Sequence, residues 1–251
     1  MSLDGRELPP AEAGAELALA AEPAVLPQAA MRQRFLRAGW EFLHDLSVAV
    51  LFCFFLIAFV AQAFRVQGTS MEPLLLDGER IVVNKFVYRF RPIERGDVVV
   101  FWYPKEPSVS FVKRVVGLPG DTIELHDKQL SVNGRPVDDE TYVYHSDKRT
   151  FPRLPLLSES LWRRDNFGPY RVPEEQYFFL GDNRDNSNDS RFWGPVSQSA
   201  LKGRALLVYW SSDLPQPAEN ASWPARLAAF GRALVGFLDH TRWGRSMRLV
   251  S

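Results

Sequence analysis

One uninterrupted apolar run near the N-terminus constrains more than any other feature what this chain can fold into. Residues 46–64 read LSVAVLFCFFLIAFVAQAF, contain no charged side chain, and have only Ser47 and Gln62 as strongly polar residues. A helix of this length rises roughly 28 Å, which is close to the ~30 Å hydrocarbon core of a bilayer. A buried core helix is the alternative, but such a helix is rarely apolar on every face. The sequence therefore predicts a transmembrane helix over residues 46–65.

The charges that flank the run predict how it crosses the membrane. A cleavable signal peptide would start near residue 1 and carry a shorter apolar region, whereas 45 residues precede this run, so we interpret it as a single-pass anchor. Arg32, Arg34 and Arg37 stand within the fifteen residues before it, against Arg65 alone in the fifteen after it. The positive-inside rule then places the N-terminus in the cytoplasm and the chain after Arg65 outside it.

The composition narrows the classes of protein to which the rest of the chain can belong. The 251 residues leave room for one sizeable domain plus appendages, or for two small domains. The 30 basic and 30 acidic residues cancel, so no net field attracts nucleic acid. The single cysteine, Cys53, excludes an intramolecular disulfide and a cysteine metal cluster. The four histidines are scattered, and none forms a pair at metal-ligand spacing.

Changes in residue composition and in the hydrophobic pattern along the chain predict three regions besides the anchor. Residues 1–45 form a cytoplasmic segment, whose first 30 residues are rich in Ala, Pro and Glu and are expected to be disordered or loosely helical. Short strand patterns predict a mainly β domain over residues 66–212, a barrel or folded antiparallel sheets, with residues 140–175 as a small inserted cap. Residues 213–251 form a basic amphipathic tail, whose helical pattern fits either a helix on an anionic membrane surface or one docked on the domain.

Two turn signals predict tight connections between the strands of the β domain. Residues 133–134 are Asn-Gly, the pair that a type I′ hairpin favours, and they separate two short strand patterns. Residues 118–121 are Leu-Pro-Gly-Asp, with proline and glycine at the positions that a type II turn requires. Both signals favour short antiparallel strands.

Ser70 is the first candidate for chemistry, and it lies a few residues beyond the apolar run. We call residues 67–73, Gln-Gly-Thr-Ser-Met-Glu-Pro, the nucleophile loop. Gly68 allows a close backbone approach or a positive φ, and Pro73 restricts the turn that follows. A serine in such a stiffened loop can act as a nucleophile, although taken alone the loop is more often a simple turn. A nucleophilic Ser70 also needs a base that activates its hydroxyl.

Lys113 is the base that the sequence offers, since no histidine stands in a suitable context. In the strand pattern of residues 110–117, Lys113 and Arg114 point to opposite faces, so one of the two cations must face an apolar side. Burial can lower the pKa of a lysine by several units, whereas an arginine cannot be deprotonated in this way. Ser–Lys pairs are a known variant of the Ser–His–Asp arrangement. A strand-end lysine that reaches water is the alternative interpretation.

A third polar cluster follows an apolar strand pattern. We call residues 181–194, GDNRDNSNDSRFWG, the Asp–Arg loop. A calcium loop of the EF-hand type matches poorly, because registers starting at Asp182 or Asp185 both lack the required glycine and glutamate. A Mg²⁺ carboxylate site stays open, although Arg184 and Arg191 would compete for the same carboxylates. Asp–Arg pairs with fixed Asn and Ser side chains favour a rigid hydrogen-bonded platform beside a site.

The order of these features resembles that of bacterial type I signal peptidases. The anchor is followed by Gly-Thr-Ser-Met-Glu-Pro, then by Phe-Val-Lys-Arg-Val-Val-Gly-Leu-Pro-Gly-Asp, and then by Gly-Asp-Asn-Arg-Asp-Asn-Ser-x-Asp-Ser-Arg. The resemblance covers roughly residues 46–210. It implies that Ser70 is the nucleophile, that Lys113 is the general base and that Ser187 orients the lysine. It also implies four structural supports of the site, which are Asp182, Arg184, Asp189 and Arg191.

The resemblance further implies a mostly β catalytic core that cleaves signal peptides from exported preproteins. The expected place is the bacterial inner membrane, with the catalytic domain on the periplasmic side. The expected partners are signal peptides and membrane lipids, and neither nucleic acid nor a metal or organic cofactor takes part. Small substrate side chains are expected in pockets lined by Val66, Met71 and Val112. Some members carry a serine two positions before the nucleophile, where this chain has Gly68. The oxyanion hole would then use the Ser70 N–H and a second donor that the sequence does not identify.

Three alternatives share some of these features. A self-cleaving repressor also uses a Ser–Lys pair, but the anchor is present and a DNA-binding helix-turn-helix pattern is absent from the sequence. A pilin- or conjugation-specific processing peptidase would carry the same dyad. A catalytically inactive, membrane-tethered binding scaffold would carry the anchor and the β domain without using Ser70 or Lys113, so substitutions of these two residues discriminate it.

Overall fold

The structure is a computed structural model that describes residues 28–55, 61–214 and 222–250. The chain divides into two compact units, Met1–Leu51 and Phe52–Ser251. The disorder predicted for the first 30 residues lies outside the described residues up to position 27, and from position 28 the chain is helical.

A long helix, α1 (Gln28–Phe55), opens the described part of the chain. Its section Arg34–Phe55 has a mean hydropathy of 1.4 and is not buried within the protein, so its length and composition suit a membrane span. The predicted helix over residues 46–65 is wrong at its C-terminal end, because Ala61–Arg65 forms a strand, β1, and residues 56–60 lie outside the described residues. Over five residues an apolar pattern does not distinguish a helix from a strand, and pairing of β1 with β2 makes this end a strand.

Eleven further strands and five further α-helices follow in the described residues. The strands are β2 (Arg80–Asn84), β3 (Val98–Tyr103), β4 (Glu106–Gly117), β5 (Thr122–His126), β6 (Gln129–Val132), β7 (Arg135–Pro136), β8 (Phe167–Arg171), β9 (Gln176–Leu180), β10 (Val196–Ser197), β11 (Leu201–Trp210) and β12 (Arg248–Leu249). The helices are α2 (Val87–Phe90), α3 (Glu159–Asp165), α4 (Ser190–Trp193), α5 (Trp223–Val235) and α6 (Phe237–His240).

The strands form two antiparallel sheets. The larger sheet has the order β1-β2-β11-β3-β4-β9-β10, with β12 paired to β11, and the smaller sheet has the order β7-β6-β5-β8. The predicted mainly β domain of folded antiparallel sheets is therefore confirmed. Alternating apolar side chains of the larger sheet supply two core clusters, and those of the smaller sheet pack into a third.

Both predicted turns are present. Asn133 and Gly134 have φ values of 54° and 74° and connect β6 to β7, as a type I′ hairpin requires. Gly120 has a φ of 84°, and the N–H of Asp121 donates to the carbonyl oxygen of Leu118 at 3.0 Å, as in a type II turn.

The register of β4 with its neighbouring strands determines where Lys113 lies. In β4, Arg114 pairs with Val98 of β3 on one side and with Leu180 of β9 on the other. Lys113 precedes this point, and the Asp–Arg loop begins directly after Leu180. The register therefore sets Lys113 beside that loop.

Two predicted boundaries differ from those in the structure. The predicted cap, residues 140–175, contains α3 but also β8, which pairs with β5 and completes the smaller sheet. The predicted separate tail, residues 213–251, rejoins the β domain near its end, because Leu249 of β12 pairs with Leu207 of β11. Both boundaries depend on pairing between strands that are far apart in the chain, and a local sequence pattern does not predict such pairing.

Candidate active site

Ser70 lies between β1 and β2, in a loop that backbone geometry holds on both sides. The N–H of Val66 donates to the carbonyl oxygen of Glu79 at 2.8 Å. Gly68 has a φ of 85°, in the left-handed region that favours glycine, and its N–H donates to the carboxylate of Asp77 at 2.7 Å. The nucleophile loop therefore has a defined path into Ser70.

Lys113 contacts Ser70 directly from β4. Its amine donates to Ser70 Oγ at 2.6 Å and to the carbonyl oxygen of Val112 at 3.2 Å. The residue is 4% exposed. Burial lowers the pKa of the amine from 10.5 to about 8, against the opposing charges of Asp189 and Asp182. A large fraction of Lys113 is therefore neutral near pH 8, as a general base must be.

The neighbouring cation, Arg114, is also buried, on the opposite face of β4. The sequence required one of the two cations to face an apolar side, and the structure buries both. Arg114 donates from Nε and Nη2 to the two oxygens of Asp182, each at 2.8 Å, and from Nη1 to the carbonyl oxygen of Gly96 at 2.9 Å. This bidentate pair compensates the Arg114 charge. Lys113 has no such carboxylate partner at hydrogen-bond distance within the described residues.

The Asp–Arg loop holds the nucleophile loop in place through hydrogen bonds to Ser70 and to Thr69, the residue before it. Asn183 donates from its backbone N–H to the Ser70 carbonyl oxygen at 3.1 Å and from its amide to the Thr69 carbonyl oxygen at 3.2 Å. The Asn186 amide donates to Thr69 Oγ1 at 2.6 Å. Gly181 permits this approach, because a Cβ at that position would collide with the Ser70 carbonyl oxygen.

Asp189, Arg191 and Arg184 of the Asp–Arg loop form ion pairs, and the supporting role of these residues stays a prediction. Arg191 donates to both oxygens of Asp189, at 2.7 and 2.8 Å, with both side chains fully buried. Asp189 also accepts from the backbone N–H of Gly181 at 3.1 Å, and Arg184 donates to Asp139 at 2.7 Å. Burial raises the pKa of Asp189, but the charge and hydrogen bonds of Arg191 outweigh it and hold that pKa below its usual range.

Ser187 lines the same cleft as Lys113, but its hydroxyl does not bond to the lysine. Its Oγ is buried and has no partner with regular hydrogen-bond geometry among the described residues. It faces the carboxylate of Asp189, which it helps to keep ionised. The lysine-orienting role of Ser187 therefore stays a prediction, and the carbonyl oxygen of Val112 is the second partner of Lys113.

The backbone N–H of Ser70 is available as an oxyanion donor, since no acceptor for it is found within residues 61–214. No heavy atom lies within 4 Å of the place that a Cβ on Gly68 would occupy. The cleft wall adds the side chains of Thr69 and Asn186, both of which carry donor groups.

A cleft of about 1080 Å³ runs past the Ser70–Lys113 pair. Residues 62–70 line one side, residues 108–113 of β4 line the other, and residues 185–188 of the Asp–Arg loop lie beside the pair. Within the described residues β1 pairs only with β2, and β9 pairs with β4 only from Arg114 onward, so β1 and residues 106–113 each keep one open edge.

Two of the three expected pocket residues, Val66 and Val112, line this cleft. The assignment of Met71 is wrong, because its side chain is 1% exposed and packs in the core with Leu75 instead of lining the cleft. Met71 follows the nucleophile directly, and the chain turns there so that consecutive side chains point to different sides. The apolar lining that the sequence did not reveal consists of Phe64, Ile81, Val100, Phe111 and Phe192.

Sequence reasoning also missed several contacts that hold the site together. The sequence singled out both Arg114 and Asp182, but it did not indicate that the two side chains pair, because they lie 68 positions apart in the chain. Asp139 carried no signal, because it lies 45 positions from its partner Arg184 in the chain. The bonds of Asn183 to the nucleophile loop span even longer separations.

Comparison with protein families gives a match over residues 39–210 to the family described as signal peptidase, peptidase S26. Signal peptidase I of Aquifex aeolicus is 34% identical over 215 residues, which cover 68% of this chain and 84% of that protein. Signal peptidase I of Pseudomonas aeruginosa is 34% identical over 226 residues, covering 76% of this chain and 78% of that protein.

A further relative and a solved structure are also similar to this chain. Signal peptidase I P of Bacillus subtilis subsp. natto is 38% identical over 174 residues, covering 69% of this chain and 90% of that protein. A crystal structure of a signal peptidase I from Enterococcus faecalis is 32% identical and covers 45% of this chain and 97% of that chain, with a TM-score of 0.34.

Proposed function

This chain belongs to the signal peptidase family, peptidase S26, and we propose that it is a membrane-bound serine endopeptidase that removes N-terminal signal peptides from exported preproteins through a Ser70–Lys113 dyad. The observation that carries this proposal is the 2.6 Å contact between the Lys113 amine and the Ser70 hydroxyl at a buried site. A binding scaffold has no need of a lysine desolvated beside a serine, so this contact favours the enzyme.

The first chemical step forms a covalent acyl-enzyme. The neutral amine of Lys113 takes the proton of Ser70 as Oγ attacks the scissile carbonyl carbon. The carbonyl oxygen becomes an oxyanion, which the Ser70 N–H stabilises, and loss of one such donor typically costs about 2.7–4 kcal/mol. The protonated Lys113 then gives its proton to the departing amine of the mature protein.

The second step releases the signal peptide. Lys113 is neutral again after the amine has left, so it can take a proton from a water molecule that attacks the acyl carbon. The tetrahedral intermediate collapses, the bond to Oγ breaks, and the proton returns to Ser70. The bidentate pair of Arg114 with Asp182 supports this cycle, because it compensates the buried positive charge next to Lys113.

The substrate binds as an extended strand in the cleft. The open edges of β1 and of residues 106–113 offer unpaired backbone donors and acceptors to an added strand. Alternate side chains of that strand then point at Val66 and Val112 beside the dyad. Such shallow apolar pockets fit the small residues of an Ala-x-Ala-like cleavage site.

The helix α1 keeps the dyad near the membrane at which exported proteins emerge. Only 15 positions separate Phe55 from Ser70 in the chain, so Ser70 lies within about 50 Å of the end of α1. Membrane lipids are the partners of this helix. The excess of arginine before the apolar run supports a cytoplasmic N-terminus and a periplasmic catalytic domain in a bacterial inner membrane.

Cleavage of a preprotein by the detergent-solubilised full chain tests the proposal. The unchanged protein should release the mature protein, and mass spectrometry should locate a single new N-terminus. Ser70→Ala should abolish the product, whereas Ser158→Ala, a change at an exposed serine, should not affect it. Product formation by the Ser70→Ala protein at the original rate would contradict the assignment of Ser70 as the nucleophile.

A further inference from the structure

The C-terminal segment, residues 222–250, contains a helix that the peptidase chemistry does not use. The family match ends at residue 210, before this segment. The helix α5 (Trp223–Val235) has 13 residues, and α6 (Phe237–His240) follows it. The sequence left open whether this segment docks on the domain or lies on a membrane.

The bulky apolar face of α5 points away from the protein. Trp223, Leu227 and Phe230 are spaced four and three residues apart, which places them on one face of the helix. Their exposed fractions are 72%, 54% and 61%. A helix docked on the domain would bury this face, so the docked interpretation does not fit.

The apolar surface continues into the residues that follow, and these are held on the domain. Arg245 donates to Glu79 at 2.6 Å, and Leu249 pairs with Leu207 in the larger sheet. The residues that follow α5 are therefore an ordered part of the β domain. The further large exposed apolar residues of the segment are Val235, Phe237, Leu238, Trp243, Met247 and Leu249.

The net positive charge of residues 222–250 favours an anionic partner. Residues 222–250 contain five arginines against one acidic residue, Asp239, and because Arg245 pairs with Glu79 of the domain, a net charge of +3 is left to face a partner. The arginines are Arg226, Arg232, Arg242, Arg245 and Arg248. Amphipathic helices with an apolar face and arginine on the polar face are typical of binding to anionic lipid surfaces. A second copy of the chain fits poorly, because a symmetric contact would bring two positive segments together.

The length of α5 determines whether it can span a bilayer or only lie on its surface. Its 13 residues rise roughly 20 Å, too little to cross a hydrocarbon core of ~30 Å. A short amphipathic helix instead lies in the plane of the headgroups, with its apolar face buried by a few ångströms. The same chain also contains α1, which is long and apolar enough to span a bilayer, so a membrane is available to α5.

We propose that α5 is an interfacial helix that binds anionic lipid, with Trp223, Leu227 and Phe230 inserted below the headgroups and Arg232 on the aqueous side. The proposal does not depend on peptidase activity. It gives the chain a second attachment to the membrane besides α1, made by a segment outside the family match.

Site-directed spin labelling of the full chain in liposomes tests this arrangement. Cys53→Ser removes the only cysteine of the chain, so single labels can then be placed by Leu227→Cys or Ala228→Cys. Position 228 is also exposed but lies off the apolar face, which makes it the matched control. The accessibility of each label to oxygen and to a water-soluble nickel chelate is measured in vesicles of phosphatidylcholine, with and without phosphatidylglycerol.

In vesicles that contain phosphatidylglycerol, the label at position 227 should become several-fold less accessible to the nickel chelate than the label at 228. Arg232→Glu should reduce this difference. Equal accessibility at the two positions in both kinds of vesicle would overturn the proposal. Shielding that comes with spin–spin broadening and grows with the protein-to-lipid ratio would overturn it too, since it indicates a second copy. An unchanged thermal unfolding transition confirms that each labelled chain is folded.

Discussion

The amine of Lys113 lies 2.6 Å from the hydroxyl oxygen of Ser70, although the two residues are 43 positions apart in the chain. Lys113 belongs to the part of β4 that pairs with β3 on one side and is open on the other, and Ser70 belongs to a loop that packs against the Asp–Arg loop. The burial that brings them together also lowers the pKa of the amine to about 8. Proximity and a lowered pKa thus arise from the same packing.

The activity should depend on pH through Lys113. The neutral amine is the active form and its pKa is lowered from 10.5 to about 8, so kcat/KM should rise with pH up to about 8 and level off above it. Below that pH the slope should be about tenfold per unit. A profile of kcat/KM against pH, with a signal-peptide substrate, measures this. A rise that begins only near the ordinary lysine pKa of about 10.4 would contradict a buried neutral base.

Removal of the amine should abolish most of the activity without a comparable loss of folding. Lys113→Met keeps the volume and apolar contacts of the stem, and it should lower kcat by about 10²–10⁴-fold or more, the usual contribution of a general base. Lys148→Ala is the matched control at an exposed lysine and should leave kcat unchanged. Circular dichroism melting of each variant separates a catalytic loss from unfolding.

Asn186 and Thr69 should contribute to kcat/KM through the one hydrogen bond that joins them. Asn186→Ala and Thr69→Val each remove the same 2.6 Å hydrogen bond, so each should lower kcat/KM by roughly five- to tenfold, and the double variant should lose no more. Asn188→Ala, which also lies in the cleft wall, should have little effect. Fully additive losses in the double variant would show that the bond itself does not hold Ser70 in place.

Gly181→Ala should displace the nucleophile. The added Cβ would meet the Ser70 carbonyl oxygen and the Ser187 side chain. A shift of about 1 Å at the reacting oxygen can cost 10²-fold in rate, and overpacking costs about 1–3 kcal/mol of stability. Gly244→Ala is the control, because no heavy atom lies within 4 Å of its added Cβ. Wild-type kinetics in the Gly181→Ala protein would mean that the two loops can separate freely.

The buried Asp189–Arg191 pair should matter far more for stability than an exposed pair. Asp189→Asn leaves the Arg191 charge buried and unpaired, which should cost about 3–5 kcal/mol of the free energy of unfolding. Glu159→Gln breaks an exposed helical pair with Arg163 and should cost about 0.3–0.5 kcal/mol. Chemical denaturation in detergent compares the two, and equal costs would contradict the burial argument.

The fold was predictable where local backbone preference decides it. The Asn133-Gly134 turn and the strand that carries Lys113 follow from residue types that few other conformations accept. Strands β1 and β8 escaped prediction, because β1 lay inside an apolar run and β8 inside a segment rich in proline and charge. Both exist because a distant strand pairs with them.

The sequence by itself predicted the membrane anchor, the order of the polar motifs and the two candidate reactive side chains, Ser70 and Lys113, since these predictions depend on residue type and on the order of motifs along the chain. Only the tertiary structure decided that Lys113 reaches Ser70, that Asp182 compensates Arg114 and that Met71 faces the core. The physical reason is strand register. A shift of β4 by one residue would exchange Lys113 and Arg114 between its faces, and the permanent charge of arginine would then stand where the reaction needs a neutral base.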